Sequence, residues 1–470
     1  MTIAGRVSGL LLGVVASFAL SFQTAGAQPA PVTPAPTAPA TTAPLPPPAS
    51  AAPVPGPRPA PPGIAGRILT LDEAVAIALE TQPQIQARLS DYAAARFRVD
   101  QAVSPLLPQL SASWVAARTR AVGGNTTVAA STAQRTATFF SNTTSNRLSL
   151  SQLIFDFGKT LASTDVARKL ADIALADVEL QRQTIALAVK ESYTNILFAQ
   201  RLARVNQQAL ERADLNLRSA RGFFEVGTRP KSDVARAEVD VANARVDLIR
   251  ARNAERLARV ALNTAMGIDV DTPTQVQDNL VYEAVTFDRA QLRAESLRNR
   301  PEYRQARLRV AAAESTERQT FRSFFPDVTG GAYYGTARPD MNEIWEFNIA
   351  MTWSIFDGGN RIARYREAKA SLDAAQARVR ATELDINRDV EQAQISVEEA
   401  QERILAAQTA VASAQENFRL AQGRFDAGVG TILELTDAQL ALTVTQNTEA
   451  QGLADFRIAL YRLDRSLGRR

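Results

Sequence analysis

Large apolar residues occupy every odd position over residues 345–355: Trp345, Phe347, Ile349, Met351, Trp353 and Ile355. The even positions up to Ser354 are polar or small. A repeat of two puts one face of a strand in an apolar medium and the other in a wetter one. The predicted strand, 345–356, matches the roughly 9–11 tilted residues with which a strand crosses a bilayer. At Asp357-Gly-Gly-Asn360 the period changes. Residues 360–422 contain no Gly and no Pro and are rich in Ala, Gln, Glu, Arg and Leu, all good helix formers. At about 1.5 Å per residue they predict a rod on the order of 90 Å long. A bilayer-length strand feeding a very long helix is an unusual join, and the other elements have to account for it.

Taken in order, the chain opens with Arg6, an apolar run over 7–22 and the small residues Ala25-Gly-Ala27 before Gln28, which predict a secretory signal peptide over 1–27. Residues 28–66 are rich in Pro, Ala and Thr and predict a disordered, extended tether without a core. Thr70-Leu-Asp72 caps a helix carrying Val75, Ile77, Leu79 and Ile85, kinked at Pro83 and running to about residue 102. Ser104-Pro-Leu-Leu-Pro108 stops it. Strands follow at 109–117, with Leu110, Ala112, Trp114 and Ala116 on one face, and at 147–155. A Ser/Thr/Asn/Gly-rich loop is expected between them, over 118–144. Residues 159–221 predict a long helix with a coiled-coil-like stripe of Val166, Leu170, Ile173, Leu180 and Leu187, interrupted by Asp177 and Thr184. A Gly/Pro break at 222–230 turns it into an antiparallel return helix over 232–266. A connector runs to 286.

The plan then repeats: helix 287–323, strand 326–335, loop 337–343, strand 345–356, helix 360–422, break 423–430 and return helix 431–467. Pro83 and Pro108 recur as Pro301 and Pro326 at a shift of 218. Phe155, Gly227, Ala237, Leu262 and Gly267 recur as Phe356, Gly428, Ala438, Leu463 and Gly468 at a shift of 201. The shift changes inside the hairpin, where the first loop is longer. The chain thus divides into a first repeat over 67–286 and a second over 287–470, each built of helix, β-hairpin, long helix and helix.

Composition narrows the chemistry. The 470 residues include no Cys and no His, which removes disulfides, thiol chemistry and the commonest metal ligand and acid–base group. No phosphate-binding glycine loop is present either, so an enzyme is the weakest reading and no cofactor is called for. The formal charge is only +4, and Arg alternates with Glu and Asp along the helices, as on solvated faces rather than a nucleic-acid patch. The fold class is mainly α with transmembrane β: a tandem-repeat protomer of long coiled-coil-like helices and four membrane-spanning strands. Open sheet edges leave backbone groups unpaired in lipid, so copies of the chain must close the sheet. A barrel continuous with a tube of helices is a conduit. The rival reading is a coiled-coil envelope scaffold without a pore, which needs neither bilayer-length strands nor an export signal.

Over about residues 68–468 the chain resembles the TolC family of outer-membrane efflux and secretion channels. The duplication, the signal peptide, the strand-end motifs Ile154-Phe-Asp-Phe-Gly158 and Ile355-Phe-Asp-Gly-Gly359, and the turns Phe224-Glu-Val-Gly-Thr-Arg-Pro-Lys-Ser-Asp-Val234 and Phe425-Asp-Ala-Gly-Val-Gly-Thr-Ile-Leu-Glu-Leu-Thr-Asp-Ala438 carry the resemblance. It implies a homotrimer whose strands close as a twelve-stranded β-barrel on an α-helical barrel. The place it implies is the outer membrane of a Gram-negative cell, with a long periplasmic extension. The duct would serve a tripartite efflux pump or type I secretion system. Its partners would be outer-membrane lipid, a periplasmic adaptor and an inner-membrane RND or ABC transporter.

The same resemblance implies a pore constriction at Glu434 and Asp437, with Asp233 as the first-repeat counterpart. Glu434 and Asp437 are three apart and share a helix face. The plainer reading makes Glu434 part of a capping box with Thr431. Family members latch the closed tip by pairing the acid at Asp233 with a Tyr and an Arg, but Phe425 and Gly430 stand at those places, so that latch does not carry over. Arg229 is then either a substitute or a solvated arginine. Gly227, Gly428 and Gly430 mark the tip turns. Trp345, Trp353, Tyr333 and Tyr334 are expected as membrane-interface aromatics.

Overall fold

The computed structural model describes residues 66–122, 138–337 and 341–469. The expected signal peptide and all of the expected tether except Gly66 lie outside the described residues. The first repeat runs through β1 (Ile68–Leu69), α1 (Leu71–Thr81), α2 (Pro83–Val103), β2 (Gln109–Val122), β3 (Thr138–Phe155), α3 (Lys159–Glu225) and α4 (Lys231–Met266). The short β4 (Gln275–Val276) lies in the connector. The second repeat runs through α5 (Arg289–Asn299), α6 (Pro301–Arg322), β5 (Asp327–Ala337), β6 (Asn342–Thr352), α7 (Asn360–Asp426) and α8 (Ile432–Ser466).

α3 and α7 are both 67 residues long, and both their first and last residues are offset by 201 (360 − 159 and 426 − 225). Each runs straight through the glycine expected to end it, Gly222 or Gly423. An interior glycine weakens a helix by about 1 kcal/mol but does not stop it. The chain turns instead at Gly227 and Gly428, both with φ of 76°. The kink expected at Pro83 is a full break, and Pro301 breaks the second repeat in the same way. The residues ahead of these prolines, Gln82 and Arg300, are extended, with ψ of 118° and 124°. The proline ring excludes its predecessor from helical geometry. Gly267 and Gly468 close the return helices against these breaks. A Cβ on Gly267 would lie 3.0 Å from the Gln82 Cα, and one on Gly468 would lie 2.7 Å from the Asn299 carbonyl carbon.

The four longer strands form one antiparallel sheet in the order β2-β3-β5-β6. The first hairpin is longer than its composition suggests, since Arg118 pairs with Asn142 and Val122 with Thr138 in what was expected to be a loop. Thr and Asn side chains do not prevent pairing once a partner strand is present. Conversely, β6 stops at Thr352, because its partner β5 begins there, with Asp327 opposite Thr352. Trp353 lies beyond the strand, and its indole N–H donates to the Phe324 carbonyl at 3.0 Å.

Helix packing follows one order. α2 and α4 lie against α3, α3 also meets α6 and α8, and α6 and α8 lie against α7. A helix flanked on several sides buries more than one stripe. Of the stripe expected on α3 only Ile173 is buried, Leu170 is exposed, and Ala171, Ala176, Val178 and Ile185 do the packing. Asp177 accepts a 2.6 Å hydrogen bond from Gln305 of α6. The main core gathers α1, the middle of α3, the end of α4, the middle of α7 and the end of α8. Tyr193 is its polar centre. Its hydroxyl is 3.0 Å from the Leu69 carbonyl and 2.9 Å from that of Gln277, and it accepts the Gln277 N–H at 3.1 Å. It therefore pins the parallel β1–β4 pair to α3.

Candidate functional site

The end of the helices farthest from the sheet is where α3 turns into α4 and α7 into α8. Phe425 is fully buried there, with Ile432 and Leu435 around it and Phe223 and Phe418 against it. The Phe223 ring meets Phe425 edge-on, centroids 5.7 Å apart. Arg229 reaches across this cluster. Its guanidinium carbon stands 4.5 Å from the Phe425 ring centre, and one of its N–H groups donates to the Gly430 carbonyl at 2.6 Å. A second nitrogen lies 3.7 Å from the Asp233 carboxylate, and only 12% of the Arg229 side chain is exposed. A solvated Arg229 is thus excluded: the side chain is sandwiched between the two turns. Asp233 serves it as counter-ion. A side chain at Gly430 would be crowded, since a Cβ there would meet Arg424 and Phe425 atoms at 3.0 Å.

Thr431 caps α8, accepting the Glu434 N–H at 3.2 Å. The reciprocal half of a capping box is not made, because the Glu434 carboxylate pairs with Arg424 at 3.2 Å instead. Asp437 is exposed one turn later and makes no ion pair among the described residues. Three hydrogen bonds that sequence reasoning missed tie α8 to its neighbours. The Thr436 hydroxyl donates to Asp240 of α4 at 3.1 Å. The Gln439 amide accepts from Asn216 of α3 at 2.6 Å and donates to the Ala209 carbonyl at 3.1 Å. The only signal for them in the sequence is polar residues at positions that face other helices.

At the other end, the sheet has one apolar face. Leu110, Trp114, Leu148, Leu150, Tyr334, Trp345, Phe347, Ile349 and Met351 share it, and all are exposed. Among the described residues no helix is long and apolar enough to cross a membrane. Tyr333 is not part of this face. Consecutive strand residues point to opposite sides, and Tyr333 lies opposite Glu346 with the Arg147 guanidinium 4.4 Å from its ring centre. It belongs to the polar face, with Ser149 and Asn348. Trp345 and Tyr334 lie side by side on the apolar face.

The model of the outer membrane efflux protein family matches residues 74–268 and 292–469. Nodulation protein T of Rhizobium leguminosarum bv. trifolii is 25% identical over 68% of this chain and 71% of its own length. The pyoverdine export outer membrane protein OpmQ of Pseudomonas putida is 24% identical over 81% of this chain and 82% of its own. The outer membrane channel CmeC of Campylobacter jejuni has the same fold, with a TM-score of 0.72 at 17% identity over 85% of each chain. With long paired helices, an apolar sheet face and a family match that spans both repeats, the chain belongs to the outer membrane efflux protein family, whose members are channels of the Gram-negative outer membrane and not enzymes.

Proposed function

We propose that three copies of the chain close into one duct, a β-barrel in the outer membrane continued by a tube of helices. The duct is the passive exit of a tripartite efflux pump or secretion system, coupled to a periplasmic adaptor and an inner-membrane RND or ABC transporter. The observation that carries this reading is that the sheet has two unpaired edges and the helix layer has two outer long helices with exposed apolar faces. β2 and β6 are the sheet edges. α4 and α7 are the outermost long helices, and both expose large apolar residues: Val239, Ile249 and Leu257 on α4, and Leu384, Ile395, Leu405 and Leu420 on α7. Edge strands in lipid must find partners, and apolar helix faces of this extent are interaction surfaces. β6 of one copy runs antiparallel to β2 of the next, so the same ladder continues around the ring.

The gate of the duct is its tip. Arg229 holds the two turns together, in place of the latch that Phe425 and Gly430 cannot make. Asp437, stacked near Glu434, lines the constriction, where a ring of carboxylates favours cations. Two measurements on detergent-extracted protein test the reading: the mass of the complex and its single-channel conductance in planar bilayers. A mass of three protomers with a cation-selective conductance supports it. A well-folded monomer, or a trimer without conductance in both wild type and Arg229→Ala, rejects it.

A further inference from the structure

The first hairpin has a charge pattern that a passive duct does not use. Residues 109–155 contain four arginines and no Asp or Glu. One of them, Arg147, is spent on the polar face of the sheet, over Tyr333. Arg118 and Arg120 are placed differently. They share the even positions of β2 with Leu110 and Trp114 and so stand on the apolar, lipid-facing side. Phe140 of β3, opposite Arg120, is on that side too. Its ring centre lies 5.2 Å from the Arg118 guanidinium carbon and 5.9 Å from that of Arg120. The ring braces two like charges that would otherwise repel each other.

Height along the sheet gives these cations a setting. From Leu110 to Arg118 is about 26 Å of strand at ~3.3 Å per residue. Tilted by about 40°, that is roughly 20 Å of height against an apolar band about 25 Å tall. Arg118 and Arg120 therefore stand at the far border of the band, beyond Trp114, Tyr334 and Trp345. The helices join the sheet at its other end. In a channel whose helices extend into the periplasm, the far border is the outer leaflet, where the lipid is a glycolipid with phosphate on its headgroup. Guanidinium forks match phosphate oxygens two by two, and at a lipid boundary the attraction is less screened than in water.

We propose that Arg118 and Arg120, braced by Phe140, form a phosphate clamp on the outer, lipid-facing rim of the sheet that holds the headgroup phosphate of the outer-leaflet glycolipid. The inference rests on the barrel reading above. One group competes for the same cations. Glu343 lies on the matching face of the opposite edge strand, β6, which in a closed ring borders β2 of the next copy.

Full-length protein reconstituted into phospholipid vesicles doped with diphosphoryl lipid A, or with its dephosphorylated form, tests the clamp. Conductance is recorded first, so that failure of the barrel reading shows itself as failure to insert. Wild type is expected to retain diphosphoryl lipid A on re-extraction, and Arg118→Gln/Arg120→Gln to lose at least about tenfold of that affinity. Arg147→Gln, on the polar face, is expected to bind as wild type does. Equal retention by wild type and double variant overturns the proposal. Equal retention of the dephosphorylated lipid overturns it as well, as does full displacement by millimolar inorganic phosphate, which marks a free-phosphate site. A double variant that falls apart into protomers while binding lipid A normally assigns the arginines to Glu343 of the neighbouring copy instead.

Discussion

The Arg229 guanidinium donates a 2.6 Å hydrogen bond to the carbonyl of Gly430, the residue that holds Arg229's own place in the second repeat, 201 positions on. One repeat supplies the side chain and the other the carbonyl of a closely packed glycine. Arg229→Ala removes the bond, the contact with Phe425 and the counter-ion of Asp233 together. A hydrogen bond from a charged donor contributes about 1.5–3 kcal/mol, so the tip is expected to open and single-channel conductance to rise. Arg229→Lys keeps a charge for Asp233 but loses the fork, and is expected to fall between the two. Unchanged conductance in Arg229→Ala would remove Arg229 from the gate.

Glu434 and Asp437 are not equivalent, because Arg424 lies 3.2 Å from Glu434. Asp437→Ala is therefore expected to reduce cation selectivity more than Glu434→Ala, as read from reversal potentials in a salt gradient. The opposite order would show that the Arg424 pair is not kept in the assembled pore. Arg424→Ala is expected to sharpen cation selectivity.

Phe425 is fully buried at the tip, far from the main core. Phe425→Ala removes about 3–5 kcal/mol of packing. The loss stays local, so hydrogen exchange is expected to quicken over residues 418–435 and to remain slow around Tyr193. Equal loss at both places would mean that tip and core unfold as one unit.

Gly227 and Gly267 both have positive φ, 76° and 73°, yet only Gly267 has backbone in the way of a side chain. Gly227→Ala costs the conformational strain of about 1–2 kcal/mol. Gly267→Ala adds a clash with Gln82, so its melting temperature is expected to fall further. Equal melting temperatures for the two variants would mean that α1 and α2 shift to make room.

Burial pushes the Tyr193 hydroxyl up to about 12. Its unfolded value is about 10, so folding favours the protonated form. The stabilisation is complete below pH ~10 and is lost as pH rises through the folded value. Alkaline titration followed by circular dichroism should show a loss of stability between these limits that is missing in Tyr193→Phe. That variant is expected to be less stable at neutral pH, where it removes the hydroxyl that bridges the backbone of Leu69 and Gln277. An identical alkaline profile in wild type and variant would place the sensitive group elsewhere.

Periodicity made much of this architecture legible. The alternation of Trp345, Phe347, Ile349 and Met351 lies within β6, although the expected strand starts three residues late and runs four too far, and the glycine-free run after Asn360 describes nearly all of α7. Besides the proline breaks, the stripe on α3 and the end of β6, local chemistry misled in places that each have a physical reason. Thr and Asn read as loop where a partner strand made them sheet. Gly222 and Gly423 read as breaks although a helix tolerates them. Tyr333 and Tyr334 read as one aromatic girdle, although the alternation separates any two neighbours in a strand. The burial of Arg229 is a different case. It depends on Phe425 and Gly430, about 200 residues away in sequence, and nothing near Arg229 announces them.

The matched length of α3 and α7 has a consequence for how such a molecule can change. Inserting one residue into α3 alone would move everything beyond it by about 1.5 Å and rotate it by about 100°. Arg229 would swing away from Phe425 and Gly430, and α4 would lose its alignment with α8. A residue added at the equivalent point of α7 restores the match between the two turns, and the helices packed alongside each rod must lengthen by the same step. The rods therefore behave as paired rulers, and a cell with a deeper envelope can lengthen this duct only by adding to both in equal measure.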